Sequence, residues 1–508
     1  MQAIWVRLLL LITSSLVAVS AAAESTTIIS VNAQGQAANG FSDRPAISAD
    51  GRFVAYESDA LDLAAGDTNG RKDIFLYDLQ TNAVTRVSVG ANGAQSNNGS
   101  ASPAISQDGR YVAFESQATN LVSNDTNISQ DIFIHDRITA TTVRVSVSSS
   151  GVEANGDCLH PAISGDGRFV VFVSAATNLA AGDTNTASDV FLHDRDPDQN
   201  GVFDENNGTT MRITSSGPSA VSSTSSSNFP SISRNGQYAA FSSLDSTLVP
   251  GDVNGWQDIF VYNIQTGLIE LVSVSSSGQQ GDLESSYTSL SADGRYVAFI
   301  SAATNLVSGD SNAKTDVFVH DRAAHTTVRA SVSNTGAQSG GASTNPVISG
   351  DGRYVSFVTE SSGLTAKLTT DEAITPRVFD AITAASGGGG GGGTTIPQVI
   401  YRRDLSLQKT VRVSSNNAGS SANGSSMSLA MATDGIVAAF ASDATNLSTV
   451  TDSNAGRDVF VRDMNTSVTA AATKSSGGGR LFIWTIAVLY VLYVFLRNRP
   501  LHFVRKQR

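Results

Sequence analysis

One stretch of the chain carries side-chain oxygens at spacings that suit a calcium ion. The candidate ligands are Asp196, Asp198, Asn200, Asp204 and Glu205. Asp196, Asp198, Asn200, Gly201 and Asp204 match positions 1, 3, 5, 6 and 9 of an EF-hand loop, in which carboxylates and amides bind Ca²⁺ and a glycine makes the sharp turn. Position 12 is Asn207 rather than glutamate, so the bidentate ligand is missing or comes from Glu205. The sequence predicts Ca²⁺ binding here, with a metal-free polar hairpin loop as the alternative.

A second acidic pattern, Asp-x-Asn-x3-Asp, recurs along the chain. Its first copy is Asp67, Asn69 and Asp73. Further copies begin at Asp125, Asp183, Asp252, Asp310 and Asp452. Three oxygens at this spacing could bind Ca²⁺, or the side chains could cap their own backbone in Asx turns. The pattern lacks a bidentate ligand, so we favour the structural interpretation and keep metal binding as the alternative.

The remaining reactive residue types do not form a known catalytic motif. His135, His193 and His320 each precede an aspartate at one repeated position, which tyrosine or arginine fills elsewhere, so we interpret the position as structural. The sequence contains no GxSxG, HExxH or GxxxxGK[ST] motif. The tract Gly387–Gly393 has no basic residue closely after it and is interpreted as a loop. Enzymatic activity therefore stays uncertain, and a non-enzymatic role is favoured.

These residues lie within seven copies of one repeated unit. The segment SADGRFVAYES at 48–58 recurs with its turn glycine at 51, 109, 167, 236, 294, 352 and 435. The steps between glycines are 58, 58, 69, 58, 58 and 83 residues. A second block, such as DIFLYD at 73–78, and a third, such as VTRVSV at 84–89, follow each first block. A fixed period of this length is typical of a repeat architecture.

Each unit is predicted to contain four strands. The first is short, around Pro45–Ser48, and a DG hairpin turn leads into a second strand of alternating pattern. The second and third blocks supply the other two strands. Seven such units predict an all-β, seven-bladed β-propeller of four-stranded antiparallel blades, in a monomeric ring. We expect Thr26–Val31 to close the ring by pairing with Asp458–Asp463, which removes an open sheet edge.

The repeated stretch S-x-D-G-[RQ]-[YF]-[VIL]-[AV]-[FY] resembles the TolB-type, WD-like propeller family. The resemblance covers about residues 25–470. It implies the propeller fold and says little about activity, because this fold hosts many functions.

The two ends of the chain are predicted to lie outside the propeller, which spans 24–470. Residues 1–23 are typical of a signal peptide, with Arg7 before an apolar run and alanines before Glu24. A Gly/Ser linker at 471–480 precedes an apolar transmembrane helix at 481–496 and a basic cytoplasmic tail at 497–508. This arrangement resembles bacterial GlyGly-type sorting signals, which imply cleavage by a rhomboid-like protease; a retained single-pass anchor is the alternative. We expect export from a bacterial cytoplasm to the periplasm or cell surface.

Composition limits the partners. One cysteine in 508 residues excludes a disulfide scaffold. Removing the one basic residue of the leader and the six from Arg480 onward leaves 26 basic against 45 acidic residues, a net charge of −19. Nucleic acid is therefore disfavoured.

The predicted topology places all long loops on one face of the ring, a usual location for binding. We expect a binding or scaffold module that takes a protein or glycan ligand on this long-loop face. The alternative is a hydrolase or lyase that acts on glycan or peptide in the channel mouth.

Overall fold

The computed structural model describes residues 24–215, 225–361, 363–365, 397–450, 452, 454 and 456–465. The predicted signal peptide, C-terminal linker, transmembrane helix and basic tail, and the Gly387–Gly393 tract, lie outside the described residues. Among the residues that are described, no helix is both long and apolar enough to cross a membrane.

Seven four-stranded antiparallel sheets form the described part of the chain, and their strands follow one another in sequence. Blade 1 contains β2 (Ser42–Ile47), β3 (Phe53–Ser58), β4 (Asp73–Asp78) and β5 (Ala83–Arg86). Blade 2 contains β6 (Ser100–Ile105), β7 (Tyr111–Ser116), β8 (Asp131–Asp136) and β9 (Thr141–Arg144). Blade 3 contains β10 (Cys158–Ile163), β11 (Phe169–Ser174), β12 (Asp189–Asp194) and β13 (Thr209–Arg212).

The other blades repeat this order. Blade 4 contains β14 (Ser227–Ile232), β15 (Tyr238–Ser243), β16 (Asp258–Asn263) and β17 (Ile269–Leu271). Blade 5 contains β18 (Ser285–Leu290), β19 (Tyr296–Ser301), β20 (Asp316–Asp321) and β21 (Thr326–Arg329). Blade 6 contains β22 (Ser343–Ile348), β23 (Tyr354–Thr359), β24 (Val399–Asp404) and β25 (Lys409–Arg412). Blade 7 contains β26 (Ser426–Met431), β27 (Val437–Ser442), β28 (Asp458–Asp463) and the N-terminal β1 (Ser25–Ile28). A 3₁₀ turn, Ala91–Gly93, lies between blades 1 and 2.

The N-terminal strand closes the ring, as predicted. In β1, Ser25 pairs with Asp463 and Ile28 with Phe460. The Ile29 N–H donates to the Val459 carbonyl (2.9 Å), which extends the pairing by one residue. β1 thereby covers the outer edge of β28, and the seventh sheet has four strands like the other six.

The hydrophobic core lies between neighbouring blades. Seven buried clusters are present, and each combines residues from two adjacent blades. One of them packs Phe53 and Leu76 of blade 1 against Val112 and Phe133 of blade 2. Another joins blade 7 to blade 1 through Val459 and Tyr56. Because each face of a sheet is buried by the next blade, no blade has a core of its own and the closed ring is the stable unit.

The DGR sequence of blades 1, 2, 3, 5 and 6 ties the turn to the third strand of its own blade and packs against the preceding blade. Arg110 forms a bidentate pair with Asp136 at the end of β8 (3.0 and 2.7 Å). Gly109 has φ +71°, and a Cβ there would lie 2.4 Å from Cδ2 of Phe53 in the preceding blade. The glycine is therefore required both by the turn and by the close approach of the neighbouring aromatic ring. This signature serves the fold.

A ring of backbone hydrogen bonds surrounds the channel at the DG-turn end. Each link joins the start of one DG turn to that of the next, as in Gln107 N–H to the Gly165 carbonyl (2.8 Å). The last link runs from Thr433 N–H to the Ala49 carbonyl (3.1 Å) and completes the ring. The main chain thus constricts the channel at this end.

Candidate ligand-binding mouth

Seven non-glycine residues with left-handed backbone angles surround the opposite end of the channel. Each is the third residue of a blade's innermost strand. They are Arg44 (φ 48°), Ser102 (52°), His160 (54°), Phe229 (51°), Tyr287 (52°), Asn345 (49°) and Ser428 (50°). Non-glycine residues rarely adopt these angles, at a cost on the order of 1–3 kcal/mol each, and such strain concentrates at functional sites. We call these seven residues the mouth ring.

A bulge in each innermost strand produces this conformation. The pairing of β2 with β3 shifts between Asp43 and Ala46, on either side of Arg44, and all seven blades show an equivalent shift. A bulge redirects the side chain of its extra residue. The first strand therefore begins three residues earlier than the sequence predicted, at Ser42. Pro45 misled that prediction, because a proline is tolerated at a bulge on the channel edge where its missing N–H is not needed.

All seven mouth-ring side chains line one cavity of about 470 Å³. A second cavity of about 260 Å³ shares Pro45 and Val347 with it and is lined farther along by Ile47, Ile105 and Ile348. The innermost strand of each blade begins after a long loop and ends at the DG turn. The larger cavity is lined by residues near the beginning of these strands, so it lies on the long-loop side. The channel is a pocket that opens on that side and has an apolar inner part.

One side of the mouth ring is aromatic. The rings of Phe229 and Tyr287 stack with centroids 3.9 Å apart at 24°, and His160 lies 6.3 Å from Phe229 at 27°. Tyr287 is 40% exposed, so the stack presents an open face to solvent. An exposed aromatic face of this kind can take the apolar face of a ligand.

The other side of the mouth ring is polar. Arg44 Nη1 donates to Ser102 Oγ (2.6 Å), and Asn345 and Ser428 follow around the rim. The Arg44 guanidinium also lies 4.0 Å from the Glu57 carboxylate. These groups offer donors and acceptors opposite the aromatic stack, so the mouth has one apolar and one hydrogen-bonding side.

Two buried glutamates support the ring. The Ser102 N–H donates to Glu57 Oε2 (3.0 Å), and the His160 N–H donates to Glu115 Oε2 (2.8 Å). Glu57 also pairs with Lys72 (2.9 Å). Each carboxylate thus holds the strained backbone of the next blade, which is a positioning role.

The long loops form a regular framework around the mouth. The Asn97 N–H donates to Asn120 Oδ1 (2.9 Å) and the Asn120 amide returns to the Gln95 carbonyl (2.8 Å). The same exchange recurs between Asn155 and Asn178 (3.0 Å). These bonds join the loop before strand one to the loop after strand two, so both loop types lie on one face.

In blades 1, 2, 3 and 5 the Asp-x-Asn-x3-Asp loop contacts an arginine that the sequence pattern alone did not indicate. Arg86, from the fourth strand, lies 3.2 Å from Asp67 and 3.7 Å from Asp73. The Asn69 amide donates to Asp73 (2.9 Å), and Asn69 Oδ1 accepts the Arg71 N–H in an Asx turn. Arg144, Arg212 and Arg329 occupy the equivalent place in blades 2, 3 and 5. The geometry favours the structural interpretation of this pattern.

Burial changes the ionisation of the last aspartate of the pattern. Desolvation raises the pKa of Asp131, Asp189 and Asp258 to about 6, although a hydroxyl donor on each opposes the rise. In blade 7, desolvation raises the pKa of Asp458 to about 7. These carboxylates are therefore partly protonated near neutral pH.

The residues predicted to bind Ca²⁺ are close together but bonded to protein donors. Asp196 accepts the N–H groups of Asn200 and Gly201 (both 3.0 Å). The Asn200 amide donates to Asp198 (3.2 Å) and Glu205 (2.7 Å). Asp198, Asn200 and Glu205 thus meet at one exposed tip of the loop.

Asp204 is separated from that tip. It accepts from Nε of the buried Arg195 (2.9 Å), and Nη1 of the same arginine donates to the carbonyl of Gly167 in a DG turn (2.6 Å). Phe203 packs on Tyr111 with centroids 5.6 Å apart. The loop therefore lies on the DG-turn side of blade 3, away from the mouth, and Asp204 helps to fix it there.

The repeated histidine position joins blades together. His135 Nδ1 lies 3.0 Å from Thr142 Oγ1, whose hydroxyl donates to the Val89 carbonyl (2.5 Å). His193 makes the same contact with Thr210 (2.8 Å), and burial lowers its pKa to about 4. In blades 2 and 3 the position is structural, as interpreted from the sequence.

The architecture defines the class of protein as a seven-bladed β-propeller with N-terminal closure. No protein family model matches the chain, and no curated protein matches it. Solved propeller structures are similar in fold. TolB from Acinetobacter baumannii is 17% identical, with TM-score 0.31 over 57% of this chain, which spans about half of that protein (53%).

Enzyme structures are among the other similar folds. An oligogalacturonate lyase in complex with manganese is 11% identical, with TM-score 0.48 over 88% of this chain and 98% of its own. The Pyrococcus horikoshii acylaminoacyl peptidase is 10% identical, with TM-score 0.46 over 85% of this chain and 52% of its own. TolB-like and enzyme-like propellers therefore both resemble this chain, and the function must be argued from its own residues.

Proposed function

We propose that this protein is an exported, non-enzymatic binding module that takes a glycan in the channel mouth on its long-loop face. The observation that carries the proposal is the mouth ring. Seven equivalent positions are held in the same strained backbone conformation, yet their side chains differ from blade to blade. Positions that serve only the fold, such as the DG glycines, are the same in every blade.

The chemistry of the mouth supports a sugar ring as the ligand. A pyranose has an apolar C–H face that can stack on the Phe229 and Tyr287 pair, and hydroxyl groups that can bond to Arg44, Asn345 and Ser428. A cavity of about 470 Å³ is of a size for one or two sugar rings, whereas a folded protein partner needs a broader surface.

A binding role is favoured over the alternative, a glycan or peptide hydrolase or lyase. The buried carboxylates nearest the mouth, Glu57 and Glu115, accept backbone N–H groups and hold the ring. A general acid or base needs to face the bond that it breaks. The enzyme alternative predicts that incubation with a bound oligosaccharide gives shortened products, and that Glu57→Gln or Glu115→Gln stops their formation.

A glycan array probed with the purified full-length chain tests the proposal. We expect binding to a limited set of oligosaccharides, and loss of that signal in the Phe229→Ser/Tyr287→Ser double variant. Serine already occupies the equivalent position in blades 2 and 7, so the backbone tolerates it. Trp256→Ser, an exposed aromatic outside the mouth, is the matched control and should keep the signal. A double variant that binds like the native chain would contradict the proposed site.

Export and anchoring belong to the same proposal. We propose cleavage after Ala23, followed by retention through the helix at 481–496 or release by C-terminal processing. In support, β1 begins at Ser25, so cleavage there would leave the closing strand intact. N-terminal sequencing of the mature protein should give Glu24, and a mature chain that still begins at Met1 would contradict export.

A further inference from the structure

We propose that Glu270, His320 and His325 form a binding site for a transition-metal ion, most suitably Zn²⁺, at the junction of blades 4 and 5. One ligand atom from each residue lies within 4.8 Å of the other two, and no other group of histidine, cysteine and acidic side chains among the described residues does so. Two imidazoles and a carboxylate are a donor set that suits zinc better than Ca²⁺ or Mg²⁺. The site lies on the DG-turn side and is separate from the mouth.

The hydrogen bonds around His320 leave one ring nitrogen for an ion. Its Nδ1 lies 2.9 Å from Thr327 Oγ1. The Thr327 hydroxyl donates its proton to the Val274 carbonyl, so it can only accept from the imidazole. Nδ1 therefore carries the proton, and Nε2 carries the lone pair. A second partner that fixes the tautomer in this way is typical of histidines that bind metals.

The carboxylate is held in a comparable way. Arg322 donates to Glu270 Oε2 from Nε (2.9 Å), and its Nη2 lies 2.8 Å from the same oxygen. Arg322 is itself fixed by a bond to the Gly294 carbonyl (2.7 Å) and by the Tyr238 ring, 4.3 Å from its guanidinium. Both contacts engage one oxygen, which leaves Glu270 Oε1 for the ion.

The triad is a departure from the repeat. Blades 2 and 3 have the same histidine and threonine, but Ala140 takes the place of His325 in blade 2. Thr85 takes the place of Glu270 in blade 1. Only His320 belongs to the repeated pattern, and the two added ligands come from adjacent blades. A bound ion would therefore connect the outer strand of blade 4 to blade 5.

Three protein ligands leave a fourth tetrahedral position open. In zinc proteins, a water molecule or an exogenous ligand commonly takes such a position. His325 is exposed, so the open position would face solvent. The positive charge of Arg322 beside the site would favour an anionic fourth ligand.

Zinc titration of the full-length chain, without a histidine tag and after chelator treatment, tests this inference. We expect one Zn²⁺ per chain in competition with a chromophoric chelator, and a higher melting temperature with the ion bound. His325→Ala and His320→Tyr should each abolish this equivalent, because each removes a ligand. Blades 2 and 1 carry alanine and tyrosine at the equivalent positions, so the fold accepts both changes. Thr327→Val should weaken binding by about 10–100-fold through the orientation of His320.

His135→Tyr is the matched control, since it makes the same change in blade 2, where the other two ligands are absent. It should leave the zinc equivalent in place. The inference is overturned if the native chain binds no zinc equivalent, if His325→Ala and His320→Tyr bind zinc as the native chain does, or if His135→Tyr removes the equivalent as well. Circular dichroism of each variant checks that loss of zinc is not loss of fold.

Discussion

At the scale of single residues, two kinds of repeated position have different physical causes. Gly109 recurs in all seven blades because a Cβ would meet the neighbouring blade at Phe53, and Arg110 recurs in five blades, where it pairs with an aspartate such as Asp136. Arg44 and Tyr287 differ because the backbone at the mouth is fixed by the bulge while the side chain points into an open cavity. Backbone strain that is kept while the side chain varies is the observation on which we base the proposed ligand site.

The buried carboxylate of Asp458 gives a prediction about pH. Desolvation raises its pKa to about 7. In blade 1, Arg86 of the fourth strand lies opposite Phe75, but in blade 7 the equivalent position, opposite Phe460, holds Ile28 of β1 and supplies no positive charge. The folded state therefore holds a proton that the unfolded chain releases near pH 4, so the free energy of unfolding falls as pH rises from about 4 to 7.

Asp458→Asn mimics the protonated form and keeps an acceptor for the Ser30 hydroxyl (2.7 Å). It should raise the melting temperature at pH 8 and change it little at pH 4. Melts at both values measure this, and an equal effect at both would show that ionisation is not the cause.

The loop of blade 3 gives a prediction about calcium. We propose that Ca²⁺ binds at the tip formed by Asp198, Asn200 and Glu205, with Asp196 adding charge; the Asn200 amide would rotate to present its oxygen. Millimolar Ca²⁺ should raise the melting temperature more than Mg²⁺ does. At a hundredfold excess of Ca²⁺ over Kd, binding adds about 2.7 kcal/mol to the free energy of unfolding. Asp198→Ala should remove the difference, and a native melt insensitive to Ca²⁺ would leave the metal-free hairpin.

At the scale of elements, the fourth strand supplies the charge that the loops lack. Arg86 of the fourth strand lies between Asp67, in the loop before the third strand, and Asp73, at the start of the third strand. In blade 4 the equivalent residue is Leu271, opposite Phe260. Asp252 of this blade is only 8% exposed, and its Oδ1 has no hydrogen-bond partner within the described residues. Blade 4 thus keeps two buried carboxylates without the arginine.

Leu271→Arg should stabilise blade 4. The guanidinium would lie between Asp252 and Asp258, and desolvation raises the pKa of Asp258 to about 6. The melting temperature should rise at pH 8, where both aspartates are charged, and rise less at pH 4. The reverse change in blade 1, Arg86→Leu, should cost about 3–5 kcal/mol because it leaves buried charges unpaired. Opposite signs for the two variants are expected, and a destabilised Leu271→Arg would contradict this account of the loops.

The sequence predicted the elements far better than the site. Seven copies of one unit predict seven blades, and each strand prediction rests on the same residue pattern seen several times along the chain. The mouth ring could not be predicted, since left-handed angles at Arg44 and Tyr287 leave no mark in residue type. Glu270 and His325 were missed for a related reason: they depart from the repeat and meet only when blade 4 packs against blade 5.

At the scale of the whole molecule, stability depends on closure. Each of the seven core clusters is shared by two blades, so an open ring would expose the interface between blades 7 and 1. Ile28 and Ile29 are 3% and 0% exposed, and each contributes about 1.5–3 kcal/mol on burial.

Deletion of residues 24–29 from the mature chain should therefore lower the melting temperature strongly and promote association through the edge of β28. Light scattering and thermal melts measure both effects. Gln34→Ala, at an exposed position just after β1, is the control and should have neither effect. A truncated chain that stays monomeric and as stable as the native one would contradict closure by β1.

The affinity of an oligosaccharide for the mouth tests the central claim most directly. Isothermal titration should give one site per ring in the native chain, with Kd raised at least about tenfold, or about 1.4 kcal/mol, in Phe229→Ser/Tyr287→Ser. Trp256→Ser should keep the native Kd. An unchanged Kd in the double variant, or an equal loss in Trp256→Ser, would contradict a ligand site at the channel mouth.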